Sequence, residues 1–160
     1  MHHVPAPITD NLRPVPHWPC GGVITIVEDL LTYGSTMLNS YHGRHGSFLK
    51  PETVKSMWNY APPASEPHED LTIDGHRYTD TTNRYVLGWD RIDFPASEKD
   101  STLANLTMIY HVGAIGGSNA VLAMFPQKNV VVAAIANVGG IGDYLPSLGA
   151  QVYHLLANEK

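Results

Sequence analysis

The spacing of apolar residues in the first third of the chain predicts a helix behind a proline-rich segment. Five prolines fall within residues 1–20, so this lead-in is expected to be extended and irregular. Thr25 and Glu28 have the spacing of a capping box, which predicts a helix over about 25–39. The apolar stripe of that helix would consist of Ile26, Leu30, Tyr33, Met37 and Leu38.

A second, shorter helix is predicted after a polar loop. Residues 41–47 contain two glycines together with basic and imidazole side chains, a composition typical of a loop. Pro51 suits a first helical turn, and Val54, Met57 and Trp58 follow it with the spacing of one helical face. The sequence therefore predicts a short helix that begins at the proline.

A polar stretch separates these helices from the strands. Residues 61–82 combine prolines with acidic side chains and predict a long surface excursion that includes a short strand near Ile73. Tyr85–Trp89 has the composition of a strand, and a polar insertion follows over 93–102.

Apolar runs in the second half predict an antiparallel sheet. Leu106–His111 and Asn119–Phe125 are candidate strands, and Val130–Ala136 is apolar throughout, as expected of a central strand. The turn residues Pro126–Asn129 predict a hairpin between the last two. Residues 144–158 predict a closing helix. Its inward residues would be Leu148, Val152, Leu155 and Leu156. This order of elements indicates an α+β fold, with an antiparallel sheet of about three strands and flanking helices.

Composition and charge exclude several classes of function. The chain has 160 residues, 43% hydrophobic and 16% charged, enough for one packed domain or one piece of a larger one. The formal net charge is −5, and no Lys/Arg cluster forms the basic face of a nucleic-acid-binding protein. The single Cys20 excludes an internal disulfide framework. No apolar run is long enough to span a bilayer, and the N-terminus has the pattern of neither a signal nor a transit peptide.

The segment from His111 to Ser118 carries the densest candidate chemistry. It contains three glycines, at positions 113, 116 and 117. Glycine lets another backbone or a ligand approach closely and leaves amides free to stabilise an oxyanion. His111 beside them would donate to a carboxylate or polarise an acyl group. The alternative that these residues leave open is a glycine-rich turn with an incidental histidine.

A series of short motifs in a fixed order resembles one family of serine hydrolases. The motifs are Gly21-Gly22, Asp29-Leu30, Leu49–Val54, Leu87-Gly88-Trp89, His111-x-Gly113, Gly116-Gly117-Ser118 and Phe125-Pro126. Their order and spacing are similar to those in the C-terminal half of the serine β-lactamase and penicillin-binding-protein superfamily, on its class C and esterase-like side. The resemblance covers roughly residues 14–158 and is closer still to a mitochondrial branch of that superfamily in animals.

This resemblance implies a domain organisation and a partial active site. Residues 21–158 would form the C-terminal portion of a β-lactamase-related domain behind the lead-in of residues 1–20. The family transfers acyl groups through the serine of an S-x-x-K motif. His111, Gly113 and Ala114 match the family's third motif. The match implies that the imidazole lies near a substrate carboxylate, that the glycine lets the substrate approach, and that the Ala114 amide donates to the oxyanion.

The departures from the family pattern predict that the chain alone is inactive. Val112 stands where the family has a hydroxyl residue, and no part of this chain matches the nucleophile half. Ser47-Phe48-Leu49-Lys50 has the letters of S-x-x-K, but Pro51 disfavours helical geometry at Lys50, so Ser47 is not expected to be a nucleophile. The isolated chain is also expected to be poorly soluble or oligomeric, because Val130–Ala136 would have an unpaired edge.

Other candidate residues predict structural roles, and neither a cofactor nor a metal site is predicted. His42 and His45 lie in a glycine-containing loop without carboxylate or cysteine partners nearby in sequence. Cys20 has no neighbour that would activate its thiol. Trp58 and Trp89 are expected in the core.

Two functions remain open from the sequence. The first is the C-terminal portion of a peptidase-like serine hydrolase, which would take an acyl or peptide substrate only together with its nucleophile half. The second is a pseudoenzyme, a non-catalytic module that binds a partner or stabilises an assembly. The closer resemblance implies a mitochondrial location, a link to lipid metabolism, and assembly into homo-oligomers or filaments. Neither nucleic acid nor a membrane span is expected.

Overall fold

The computed structural model describes residues 23–60, 71–73, 76–78, 82–96, 102–115 and 117–159. The predicted lead-in, Cys20, and most of the predicted polar segments lie outside the described residues. None of the helices in the described ranges combines the length and the apolar character needed to cross a bilayer.

The two predicted N-terminal helices are confirmed, although the predicted capping box is wrong. Helix α1 spans Val27–His42 and helix α2 spans Pro51–Asn59. The N-cap of α1 is Ile26, whose side chain has no capping group, and the Thr25 hydroxyl donates only to the carbonyl of Ile26. Helix α1 ends at Gly43, whose φ of 67° is the left-handed conformation that terminates many helices.

The buried face of α1 is narrower than the predicted stripe. Met37 and Leu38 are buried as expected, but Ile26 and Tyr33 are exposed. The predicted stripe also omits Gly34, where α1 lies so close to the sheet that an added Cβ would be 2.6 Å from Cγ1 of Val131. The glycine thus sets how closely the helix packs on the sheet.

The α+β class is confirmed, and the sheet is larger than the three strands expected. The strands are β1 Leu71–Ile73, β2 His76–Tyr78, β3 Thr82–Tyr85, β4 Asp90–Asp93, β5 Thr107–Ile115, β6 Ser118–Phe125 and β7 Val130–Ala136. The last five form one sheet in the order β3-β4-β5-β6-β7, with every neighbouring pair antiparallel. Strands β1 and β2 form a separate antiparallel pair. A 3-10 turn at Gly142–Tyr144 leads into helix α3, Leu145–Asn158.

The strand predicted over Tyr85–Trp89 is wrong beyond Tyr85, the last residue of β3, because Val86–Trp89 is the turn between β3 and β4. The amide of Val86 donates to the carbonyl of Trp89 at 2.7 Å, and Gly88 has a φ of 75°. Val86 and Trp89 are buried beneath α1 and α2. The turn is therefore apolar because two helices from earlier in the chain pack on it, which the local sequence pattern does not reveal.

The hairpin of β6 and β7 is confirmed, but in the described part of the chain β7 lies at an edge of the sheet and not at its centre. It pairs with β6 from Val130 to Ala136 and has no other strand beside it in the described part of the chain. The short strand expected near Ile73 is present as β1. Ile73 and Tyr78 are buried in the core, so the expected surface excursion is wrong at this pair of strands.

The sheet carries a core on each of its two faces. Helices α1 and α2 cover one face, and Trp58 and Trp89 are buried there as predicted. Helix α3 covers the other face, where Tyr153 stacks on Phe125 with ring centroids 4.2 Å apart. The predicted inward face of α3 is wrong for three of its four residues, because only Val152 packs against the core. Leu148, Leu155 and Leu156 are exposed, whereas the buried residues are Leu145, Gly149, Ala150 and Tyr153.

Candidate active-site wall on strand β5

The second half of β5 has an unpaired edge within the described part of the chain. Strand β4 pairs with β5 only from Thr107 to Tyr110, because β4 begins at Asp90 opposite Tyr110. Strand β6 continues to pair on the other side as far as Ile115. The residues from His111 onward therefore present one free strand edge.

The hydrogen-bond alternation of β5 determines which backbone groups face that edge. The amide of Phe94 donates to the carbonyl of Leu106 at 2.9 Å on the β4 side, whereas the amide of Thr107 donates to Oε1 of Gln127 at 3.3 Å on the β6 side. Alternate residues of an antiparallel strand point their polar groups to alternate sides. The pairing of β5 with β6 continues without a bulge, so the amides of Val112 and Ala114 face the free edge.

The imidazole of His111 lies on the sheet face that α1 and α2 partly cover. His111 shares its face with Ile109, which belongs to the core under those helices, and it lies opposite Leu122 of β6. The histidine is exposed, and it makes no hydrogen bond or ion pair with any described residue. The ring is therefore accessible to a ligand that approaches the second half of β5.

Gly113 and Val112 occupy different surroundings. Gly113 is exposed, and an added Cβ would contact only Cβ of Ala120, at 3.9 Å, so packing in the described region does not require glycine here. Val112 is half-buried and packs on the α3 side of the sheet. Its side chain therefore leaves the free edge open, but it supplies no hydroxyl to that edge.

Aromatic rings border the sheet face beside His111. Trp89 precedes β4 by one residue, and the pairing register continued by one step sets it opposite His111. Tyr33 of α1 stacks on Trp89, with ring centroids 6.2 Å apart and planes 15° from parallel. The ring centroids of Tyr33 and Phe48 lie 6.3 Å apart. Trp89 thus lies on the sheet face that also carries the imidazole.

Tyr110, next to His111, is not suited to act as a base. Burial raises the pKa of its phenol, and the negative charge of Asp90 raises it further, against a hydrogen bond from Asn83 that lowers it. The hydroxyl therefore stays protonated at neutral pH. Tyr110 also belongs to the core on the α3 side, so it points away from His111.

Ser47 and Lys50 do not form the serine–lysine pair of an S-x-x-K motif. The segment between them is not helical, and Lys50 has an extended conformation with a ψ of 147°. The Ser47 hydroxyl donates to the carbonyl of Arg44 instead. The expectation that Pro51 prevents a shared helical face is confirmed.

Two other histidines of the described region, His42 and His154, make structural contacts. Nε2 of His42 hydrogen-bonds with the carbonyl of Pro126 at 3.0 Å, which ties the end of α1 to the β6–β7 turn. His154, for which the sequence offers no partner, hydrogen-bonds with Thr102 at 2.8 Å and with Asn158 at 3.0 Å.

A polar network around Asp93, with side chains from β3, β4 and β5, was not predicted from the sequence. Arg91 contacts both carboxylate oxygens of Asp93, at 2.8–3.0 Å, and Arg84 lies 3.4 Å from the same carboxylate. Burial raises the pKa of Asp93, but hydrogen bonds from Arg91 and Thr107 and the two positive charges outweigh it and leave the pKa lowered. The alternation Arg91-Ile92-Asp93 was the only signal in the sequence.

Comparisons with known proteins agree with the resemblance drawn from the motifs. The chain is distantly related to the serine β-lactamase-like proteins. It is 25% identical over 165 residues to the mitochondrial serine β-lactamase-like protein LACTB of mouse, and 24% identical to the human and bovine LACTB proteins.

Each alignment includes 87% of this chain, and the chain spans about a quarter of the length of these relatives, 26–27%. No protein-family model matches the chain, and no solved structure matches it.

Proposed function

We propose that this chain is the C-terminal portion of a β-lactamase-related serine hydrolase, and that strand β5 forms one wall of its acyl-transfer cleft. The observation that carries the proposal is the free edge of β5, where an exposed imidazole and outward-facing amides occur together. In this role His111 binds the substrate carboxylate, Gly113 lets the substrate approach, and the Ala114 amide donates to the oxyanion. The fold is then an incomplete β-lactamase or transpeptidase fold.

The nucleophile is proposed to come from a segment outside this chain. A histidine and an amide donor position a substrate, but acyl transfer also needs an activated nucleophile. The distant relatives are about four times as long as the aligned chain, which leaves room for such a segment. The chain alone is accordingly proposed to be inactive.

The free edge of β7 is the second observation that supports a missing segment. By the same alternation, Val131, Ala133 and Ile135 point their amides and carbonyls away from β6. Side chains on both helices beside the sheet are exposed and apolar, namely Leu31 on α1 and Leu148 and Leu155 on α3. A strand added at this edge would satisfy the backbone groups, as an open apolar edge otherwise favours aggregation.

The second candidate is a non-catalytic module that pairs through this same β7 edge with a partner or with another copy. For both candidates we propose the mitochondrial location that the LACTB relatives imply. A role in lipid metabolism or in filaments is likewise part of both proposals. The two candidates differ in whether an acyl group is transferred once the missing segment is present.

A complementation experiment separates the two candidates. We would co-express this chain with the part of mouse LACTB that precedes the aligned region, and treat the mixture with a fluorescent serine-directed fluorophosphonate. The hydrolase proposal expects covalent labelling of the LACTB segment only in the presence of this chain. A stable complex that is not labelled would support the non-catalytic module. Labelling of a serine in this chain alone would contradict the proposed absence of a nucleophile.

A further inference from the structure

The tip of the β5–β6 hairpin extends beyond the strands on either side of it. As described, β4 pairs only with the first half of β5, and the last residue of β7, Ala136, pairs with Asn119. Beyond that row β5 and β6 continue as a pair. The residues of this hairpin tip that the structure describes are Ala114, Ile115, Gly117, Ser118 and Asn119. The proposed oxyanion donor, the Ala114 amide, therefore lies where neighbouring strands give little support.

Asn119 is the one buried residue among those described at the hairpin tip. It is 3% exposed, whereas Ala114 and Ile115 are exposed. Asn119 lies directly opposite Ala114 in the pairing of the two strands, on the sheet face that α3 covers. The packing that attaches the hairpin tip to the rest of the protein is therefore concentrated at Asn119.

The side chain of Asn119 holds the loop that follows β7, residues 137–141. Its Nδ2 donates to the carbonyl of Val138 at 2.6 Å. Its Oδ1 lies beside Gly142, where an added Cβ would be 3.5 Å from that oxygen. One side chain thus contacts this connection near its start and again at the 3-10 turn that follows it.

The same loop lies against both the hairpin tip and the core. An added Cβ on Gly139 would be 3.5 Å from the amide nitrogen of Gly117, so the two backbones lie close together. Ile141 packs on the core beneath α3, as Val112 does, and the 3-10 turn contacts β5. The loop therefore connects the hairpin tip to the core, and Asn119 supplies the hydrogen bond that fixes the loop in place.

A buried asparagine at this position indicates a specific contact. Burial of a polar side chain costs free energy unless its groups find hydrogen-bond partners. Among the described residues, the buried polar side chains are those of Asn119 and Ser40. The Ser40 hydroxyl donates to the carbonyl of Thr36 within α1, on the other face of the sheet. Ser40 therefore offers a matched comparison that does not involve the hairpin tip.

We propose that Asn119 is a positioning residue for the acyl-transfer wall: by binding Val138 it holds the hairpin tip so that the Ala114 amide stays aimed at the oxyanion. This inference rests on the proposed function of β5. An oxyanion donor is effective because its direction is fixed before the reaction. The Ala114 amide faces the free edge, whereas the amides of Gly113 and Ile115 on either side point toward β6. Any movement of the hairpin tip would therefore move the Ala114 amide as well.

Hydrogen exchange at single amides of this chain, resolved by mass spectrometry with fragmentation, tests the anchoring without catalysis. In Asn119→Asp the volume is kept, but at pH 7 the carboxylate cannot donate to the Val138 carbonyl. We expect exchange at Ile115 to accelerate at least about tenfold more than at Ile109, which lies in the same strand where β4 also pairs. Asn119→Ala should give the same selective effect without adding a charge.

Ser40→Ala is the control for a general loss of stability. It removes the other buried polar side chain and should change exchange at Ile115 and Ile109 by the same factor, within about twofold.

Acylation of the complemented assembly by a fluorescent β-lactam that carries a carboxylate tests the effect on the site. Asn119→Ala should lower the maximal acylation rate at least about tenfold and leave the half-saturating concentration within about threefold. The reason is that an oxyanion donor acts in the transition state, whereas His111 would bind the carboxylate in the ground state. A residue needed only for folding would lower the amount of acylated protein, and not the rate per assembled site.

Two results would overturn the proposal. One is equal acceleration of exchange at Ile115 and Ile109 in both Asn119 variants, which would make Asn119 a residue of general stability. The other is an unchanged maximal acylation rate in a variant whose hairpin tip exchanges faster. If the wild-type assembly is not acylated although Ile115 responds selectively, the proposed hydrolase function fails while the anchoring by Asn119 is supported.

Discussion

Gly34 of α1 lies directly against Val131 of β7, so close that a methyl group on the glycine would be 2.6 Å from Cγ1 of the valine. Real Cβ atoms do not approach a neighbour to this distance, so the Val131 side chain, the helix or the strand would have to move. Because β7 is one of the two outermost strands of the described sheet, the contact fixes α1 to that edge of the sheet.

Gly34→Ala should therefore destabilise the protein although alanine is the better helix former. Overpacking of a close contact costs about 1–3 kcal/mol, more than the roughly 1 kcal/mol gained in helix propensity. Urea unfolding measures the difference, and Ser35→Ala, on the exposed side of the same helix, is the control. Val131→Ala in the same chain should recover part of the loss. If Gly34→Ala is as stable as Ser35→Ala, the close contact does not exist in solution.

The Asp93 network predicts a loss of stability in acid. The folded-state pKa of Asp93 lies below its ordinary value of 3.8, so its stabilising contribution is complete above that value. It is lost as the pH falls through the lowered folded-state pKa. Asp93→Asn should cost about 1–3 kcal/mol at pH 7 and should lose less stability than the wild type between pH 5 and pH 2. Urea unfolding at several pH values is the measurement, with the exposed Asp143→Asn as control.

An unchanged acid profile in Asp93→Asn would show that the carboxylate is not paired in solution. Arg84 and Arg91 would then need a different counter-ion.

The orientation of α3 predicts unequal effects of two substitutions on one helix. Tyr153 is buried and stacks on Phe125, so Tyr153→Ala should cost about 3–5 kcal/mol. Leu155 is 57% exposed, and Leu155→Ala should change stability by less than about 0.5 kcal/mol. Thermal and urea unfolding check both values. If Leu155→Ala cost more stability than Tyr153→Ala, the buried face of α3 would be the one that the sequence pattern predicts.

The open edge of β7 predicts that the isolated chain associates with itself. Ile135→Lys places a charge at that edge, where a lysine opposes pairing with another strand. We expect light scattering to show oligomers of the wild type and fewer of the variant. Val138→Lys adds the same charge beyond the end of the strand, at a similarly exposed site, and should not reduce association. A wild-type chain that stays monomeric at high concentration would remove this argument for a missing strand.

Sequence patterns predicted the elements better than their positions in the fold. Val130–Ala136 is apolar because α1 and α3 cover its two faces, a condition that an edge strand meets as well as a central one. Tyr85–Trp89 is apolar because Val86 and Trp89 lie under two helices that come much earlier in the chain. Neither arrangement is visible in a local window of sequence.

The site was predictable only in part, for a related reason. The glycines near His111 indicate a strand that a ligand or another backbone can approach closely. The unpaired edge of β5, however, depends on where β4 begins. The Asp93 network joins side chains of β3, β4 and β5, which lie far apart in the sequence. For α3, both sides of the helix carry leucines, and Gly149 and Ala150, rather than the leucines, mark the side that packs closely on the sheet.

The most direct test of the proposed acyl-transfer wall is the rate at which a fluorescent β-lactam that carries a carboxylate acylates the complemented assembly, compared between two histidine variants. If His111 lines the cleft, His111→Ala should lower the rate about 100-fold, because a substrate-positioning group is lost. His45→Ala removes an exposed imidazole from the loop after α1 and should leave the rate within about threefold of the wild type. Equal rates for the two variants in a complex that still forms would contradict the assignment of β5 as a wall of the active site.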